Sequence, residues 1–240
     1  MVDYQTALRC ARFSQEVYQD FVDIQFSESS KTEMALVESG KSSGVDTQVA
    51  LLYDAEPNLL FIVFRGTDKS VDWITNLKLR QKIYPYGDED DTEVRFHRGF
   101  MDAYFSVRDR LLDNIRTFPE AKLRFTGHSL GGALATIAAL DTQYNITQHN
   151  NQNLESYSYG SPRVGNAAFM ESFQQRVPQN HRFVYGWDLI TQVPRIWQGY
   201  RHVEREYSLG PWFSWNILSR ALKDHQIDNY ISALEAALGQ

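Results

Sequence analysis

At 240 residues, with 42% hydrophobic and 13% aromatic side chains, the chain has enough apolar material for a large core in one or two domains. Its formal net charge of -6, from 24 basic and 30 acidic side chains, argues against a nucleic-acid partner. Cys10 is the single cysteine, which excludes an intrachain disulfide, and the longest uninterrupted apolar run, Leu59 to Phe64, is far too short for a transmembrane segment.

The first residues, Met-Val-Asp-Tyr-Gln, lack a basic n-region and an apolar h-region. The expectation is a cytoplasmic protein, with secretion by another route as the alternative. No Gly/Ser/Pro-rich linker divides the chain, which points to a single domain over residues 1–240. Tyr4 to Asp20 reads as a helix, with Ala7, Leu8, Ala11, Val17 and Tyr18 at roughly helical spacing. Thr47 to Asp54 and Asn58 to Phe64 read as a hairpin around Ala-Glu-Pro, ending at Arg65-Gly66-Thr67. Val71, Trp73, Ile74 and Leu77 then recur at helical spacing among polar residues, the pattern of a short amphipathic helix. Such a helix either covers an apolar cleft or packs permanently on the surface. Asp88 to Glu93 forms a short acidic loop, and His97 to Phe118 reads as a helix with Phe100, Tyr104, Val107, Leu111 and Ile115 on its apolar side.

Lys122 to His128 is a strand, and an alanine-rich helix starts just after Ser129. Leu154 to Tyr159 is a further strand, and after the turn Gly160 to Asn166 the Asn166 side chain can cap a helix from Ala167 to Arg176. His181 to Tyr185 is a strand ending at Gly186-Trp187-Asp188, and Tyr200 to Ser208 alternates like another. Trp212-Phe213-Ser-Trp215 suits core packing or, if exposed, a lipid-facing surface. A last helix runs from Ile227 to Leu238. Strands alternating with helices imply an α/β fold whose parallel or mixed sheet is covered on both faces.

Ser129 stands in Gly127-His128-Ser129-Leu130-Gly131, where strand meets helix. This is the nucleophile elbow, a sharp turn that lifts the hydroxyl above the sheet and aims the helix N-terminus at the reacting centre. A serine hydroxyl needs a general base, and the base needs a carboxylate to hold its tautomer. In hydrolases built on such an elbow these follow in the order acid, then histidine, and Asp188 directly after a strand meets the first demand. Asp141 lies too far along the elbow helix, and Asp224 and Asp228 are placed as helix caps. Of six histidines only His202 and His225 follow Asp188. His225, on a loop before the last helix, is the better base; His202 is the alternative, and His128 is expected to point into the protein. The Leu130 N–H supplies one donor to an oxyanion, and Thr67, at the end of an earlier strand, offers a second through its N–H and hydroxyl.

The chain resembles the class 3 lipases, the family of the filamentous-fungal triacylglycerol lipases, along most of its length. The resemblance is carried by Phe64-Arg-Gly-Thr67 with Val71-Asp-Trp73, by Phe96-His97-Arg-Gly99-Phe100, by the elbow, and by Gly160-Ser-Pro-Arg-Val-Gly-Asn166. It implies an α/β-hydrolase fold with a short lid helix and a triad of Ser129, Asp188 and His225. It also implies a lid at Val71, Trp73 and Ile74, with Tyr18 as an aromatic residue bordering the site and His202 as a histidine other than the base. The implied activity is ester hydrolysis of lipase type on acylglycerols or related lipid esters, with no metal or cofactor and at most transient contact with a lipid interface. A phospholipase, galactolipase or short-chain esterase would use the same site, and a catalytically silent lipid-binding protein would keep only the fold.

Overall fold

A computed structural model of the protein describes residues 2–27, 32–39, 46–67, 81–83, 94–211 and 223–239. The amphipathic segment with Val71, Trp73, Ile74 and Leu77, the acidic loop, and the Trp212 to Trp215 cluster lie outside these residues. Helix α1 (Tyr4–Glu16) is capped by Asp3, whose carboxylate accepts the Gln5 N–H at 3.0 Å. It ends before the expected Asp20, because Tyr18 and Gln19 bond back to Gln15 and Glu16 in i→i−3 turns that tighten the chain out of the α-helix.

Strands β1 (Thr32–Glu38), β2 (Gln48–Asp54) and β3 (Leu59–Phe64) form an antiparallel meander, and the β2–β3 hairpin is the one expected. Strand β4 (Gln81–Ile83) pairs with β5 (Arg95–His97) in a separate two-stranded sheet. The helix expected from His97 to Phe118 is two helices, α2 (Arg98–Phe105) and α3 (Arg108–Arg116), with His97 in β5. The break falls at Ser106 and Val107: the Ser106 hydroxyl takes the Ala103 carbonyl at 2.6 Å, and Val107 leaves helical geometry at φ -120.

Beyond it come β6 (Lys122–His128), α4 (Leu130–Thr142), β7 (Leu154–Tyr159), α5 (Ala167–Arg176), β8 (Asn180–Tyr185), β9 (Glu206–Leu209) and α6 (Ile227–Leu238). Asn166 caps α5 as expected, accepting the Phe169 N–H at 3.0 Å. Only the end of the Tyr200 to Ser208 run is a strand. Arg205, at φ 60, interrupts it, and Tyr200 is buried as a core residue.

The main sheet has the order β1-β2-β3-β6-β7-β8-β9, parallel from β3 to β9. All six residues of β3 are buried, as a strand covered on both faces requires. Leu60, Ile62 and Phe64 join the core under α2 to α5, and Leu59, Phe61 and Val63 join the core under α1 and α6. The register sets Phe64 beside Gly127, His128 beside Tyr159, and Tyr159 beside Phe183, so β3, β6, β7 and β8 end at one edge of the sheet. In open α/β sheets this C-terminal edge is where ligands bind. None of the described helices is long and apolar enough to cross a membrane.

Candidate active site

Ser129 joins β6 to α4 at φ 58 and ψ -127, a conformation costly for a residue with a side chain and a mark of strain stored at a working site. Its N–H is held by the Tyr159 carbonyl at 2.9 Å. The elbow closes this tightly only because its neighbours are glycines: a Cβ on Gly127 would lie 2.4 Å from the Gly131 carbonyl, and one on Gly131 would lie 2.3 Å from the Phe64 oxygen. The Gly131 contact draws the head of α4 against the end of β3. Leu130 precedes Gly131 in the first turn of α4, where its N–H has no carbonyl within the helix to accept it. Thr67 is half-buried.

The Ser129 hydroxyl donates to His225 Nε2 at 2.8 Å, and His225 Nδ1 donates to Asp188 Oδ2 at 2.8 Å. All three residues are buried. Asp188 is held by two further donors: Oδ1 accepts the Ile190 N–H at 2.8 Å, and Oδ2 also accepts the Tyr230 hydroxyl at 2.6 Å. Burial beside this carboxylate holds the Tyr230 phenol well above its ordinary pKa, so it remains a donor.

The expected triad partners are thus brought together, and Tyr230 is a residue that sequence reasoning missed. Its signal was the buried stripe Ile227, Tyr230 and Leu234, in which one member carries a polar group. Asp224 does not cap α6, whose N-cap is Gln226. Its carboxylate instead accepts the Trp187 N–H at 2.9 Å, tying the residue before His225 to the residue before Asp188. Asp228 sits in the first turn of α6 and pairs with Gln15 across to α1. Asp141 is far from the site, held by the Tyr104 hydroxyl at 2.6 Å and by Arg108 Nε at 2.8 Å.

His202 does not reach Ser129. Its Nε2 donates to the Thr191 carbonyl at 2.6 Å, and the Thr191 hydroxyl donates to the Asp188 carbonyl at 2.7 Å, so His202 props the aspartate loop. His128 is buried as expected, and Tyr18 reaches it with its hydroxyl, 3.1 Å from Nδ1. Val71, Trp73 and Ile74 lie outside the described residues.

Burial, then the charge of His225, pushes the His128 pKa well below 6.5; burial, then Arg182, does the same for His202. The folded state therefore refuses protons that the unfolded chain accepts below pH 6.5. Stability from these two groups is complete above that pH and is lost as the pH falls through it toward their folded values. Unfolding free energy from urea titrations between pH 7.5 and 5.0 is expected to fall by up to about 1.4 kcal/mol per pH unit for each histidine. A flat profile would show that they charge freely in the folded protein.

The sequence family described as Lipase (class 3) matches residues 61–197. A lipase of Rhizomucor miehei is 30% identical over 179 residues, which cover 73% of this chain and 48% of that protein. The secreted mono- and diacylglycerol lipase 1 of Fusarium solani is 32% identical over 174 residues, 71% of this chain and 49% of that protein. The chain thus spans about half the length of these two relatives. Among solved structures, a fungal lipase–inhibitor complex, presented as a model for interfacial activation in lipases, superposes with a TM-score of 0.72 at 26% identity. That match covers 86% of this chain and 80% of the other.

Proposed function

The chain belongs to the class 3 lipase family, and on that premise we propose that it is a serine carboxylic-ester hydrolase of lipase type, cleaving acylglycerols or related lipid esters through an acyl-enzyme. The observation that carries this reading is the unbroken chain of 2.8 Å hydrogen bonds from Ser129 through His225 to Asp188, mounted on a strained serine. Ser129 Oγ attacks the ester carbonyl as His225 Nε2 takes its proton, and the imidazolium then returns that proton to the departing alcohol. Asp188, oriented by Ile190 and Tyr230, holds the proton on Nδ1 and stabilises the imidazolium. Water repeats the sequence to release the acid. Leu130 and Thr67 receive the oxyanion, and no metal or cofactor takes part.

Acylglycerols are favoured as substrates because the matching relatives are named a lipase and a mono- and diacylglycerol lipase. Tyr18, whose hydroxyl reaches His128 beside the nucleophile, borders the acyl site. The decisive experiment labels the protein with an active-site fluorophosphonate and then compares turnover of p-nitrophenyl esters of increasing chain length with an emulsified triglyceride. Labelling lost in Ser129→Ala and turnover that rises past the substrate's solubility limit are expected. Labelling without turnover of long-chain or emulsified esters would make the protein a short-chain esterase, and no labelling would make it a silent lipid-binding protein.

Thr67→Ala tests the oxyanion assignment, since it removes the hydroxyl and keeps the N–H. A kcat loss on the order of tenfold or more with little change in KM is expected, and Thr67→Ser should be mild. An unchanged kcat would mean that the hydroxyl is not a donor.

A further inference from the structure

The residue before the nucleophile grips the other end of the general base. His128 Nε2 lies 2.6 Å from the carbonyl oxygen of His225, and a carbonyl can only accept, so this nitrogen carries the proton. Nδ1 is then a bare lone pair, and it receives the Tyr18 hydroxyl at 3.1 Å. The two imidazoles are neighbours in a tilted arrangement, with centroids 4.5 Å apart and 32° between planes. His225 lies within the Lys223–Gln226 turn that leads into α6, outside any described helix or strand ladder. Consecutive residues therefore hold the base at both ends: Ser129 at its reacting nitrogen and His128 at its main chain.

We propose that His128 is a positioning residue for the hydrolysis, locking the backbone of His225 at its distance from Ser129, and that Tyr18 is the group that fixes the tautomer His128 needs for this. The proposal rests on His225 being the general base. If Nδ1 lost its donor, the proton could move there, and the bare Nε2 would face the His225 carbonyl lone pairs and repel it. The oxyanion segment bears on the same group, because a Cβ on Gly66 would lie 2.1 Å from the Tyr18 hydroxyl and 2.7 Å from the His128 carbonyl oxygen. Glycine at 66 leaves room for Tyr18 to reach its partner.

The test uses the full chain with His128→Phe, which keeps a ring and removes the donor; His128→Gln, which can place an N–H near the position of Nε2; Tyr18→Phe; and the double variant Tyr18→Phe/His128→Phe. Fluorophosphonate labelling rates and kcat and KM on p-nitrophenyl butyrate are read for each, with thermal unfolding as a check on folding. Tyr18→Phe and His128→Phe are each expected to lower kcat and the labelling rate, by up to about 10²-fold, because small misplacement of a reacting group costs that much. KM should change by no more than about twofold, whereas a Tyr18 acting only on the acyl chain would raise KM. His128→Gln should recover most of the loss, and the double variant should be no worse than the poorer single, since both act through one hydrogen bond.

Wild-type labelling rates in folded His128→Phe or in Tyr18→Phe would overturn the proposal, as would fully additive losses with glutamine no better than phenylalanine. Should His128→Phe fail to fold, Tyr18→Phe, at a half-buried residue, decides alone. A wild-type protein that does not react with the fluorophosphonate would instead remove the triad reading itself. Reactive wild type beside unaffected variants removes only the role of His128.

Discussion

Replacement of Ser129 by alanine is expected to lower ester turnover by on the order of 10⁵- to 10⁶-fold, and His225→Ala by a similar factor, with the double variant little worse than either. The reason is geometric: the hydroxyl, imidazole and carboxylate form one hydrogen-bonded unit with links of 2.8 Å, so removing one member leaves the others with no step to perform. The fold should survive, because the elbow backbone is set by the Tyr159 carbonyl and by glycine contacts, none of which uses the Ser129 side chain. His202→Ala should keep most of the activity. Its imidazole meets the Thr191 carbonyl and not the serine. Steady-state kinetics with circular dichroism of each variant decides the matter: a dead His202→Ala beside an active His225→Ala would reverse the assignment of the base.

Gly160→Ala is also expected to damage turnover, by about 10²-fold, although residue 160 takes no part in the chemistry. Gly160 follows β7 at φ +57, where any Cβ is strained, and a methyl group there would lie 2.6 Å from Asp188 Oδ2 and 3.0 Å from His225 Nδ1. Those two atoms are the partners of the hydrogen bond that orients the base. The methyl group must displace one of them, and a misplacement approaching 1 Å costs about 10²-fold in kcat. Gly239→Ala is the control, because its nearest atom is 3.7 Å away and its backbone is ordinary. Equal kcat values for the two variants, measured on the same soluble ester, would show that Gly160 does not shape the acid–base pair.

What could be read from the sequence depended on how local its cause is. The elbow was legible because its crowding falls within the short stretch from 127 to 131, where only glycine at either end avoids a clash. Asp188 and His225 followed from chain order once the elbow was recognised. The helix break at Ser106 was not legible: Phe100, Tyr104, Leu111 and Ile115 are buried in two helices as they would be in one, and a single hydroxyl bond makes the difference. Strand β1 was missed because Glu, Met, Ala and Leu favour helix, and only pairing with β2 makes that segment a strand. Tyr230 and the full role of His128 depend on partners 42 and 97 positions away, which no local pattern reveals.

The docking of α6 carries a consequence for how the protein would fail under stress. That helix brings Tyr230 to the carboxylate, and the turn at its head brings His225 to the serine. The helix is held by a buried stripe of only Ile227, Tyr230 and Leu234 and by exposed contacts such as Arg12 with Glu235 at 3.0 Å, at the edge of a core whose other members lie mostly on α1 and the sheet. Exposed ion pairs add little to stability, and peripheral segments open at lower free energy than the core. Undocking of this one helix would remove the base and the orienting phenol together while leaving the sheet intact. Hydrolytic competence would then report sub-global opening of α6, and thermal inactivation would run ahead of the melting of the sheet.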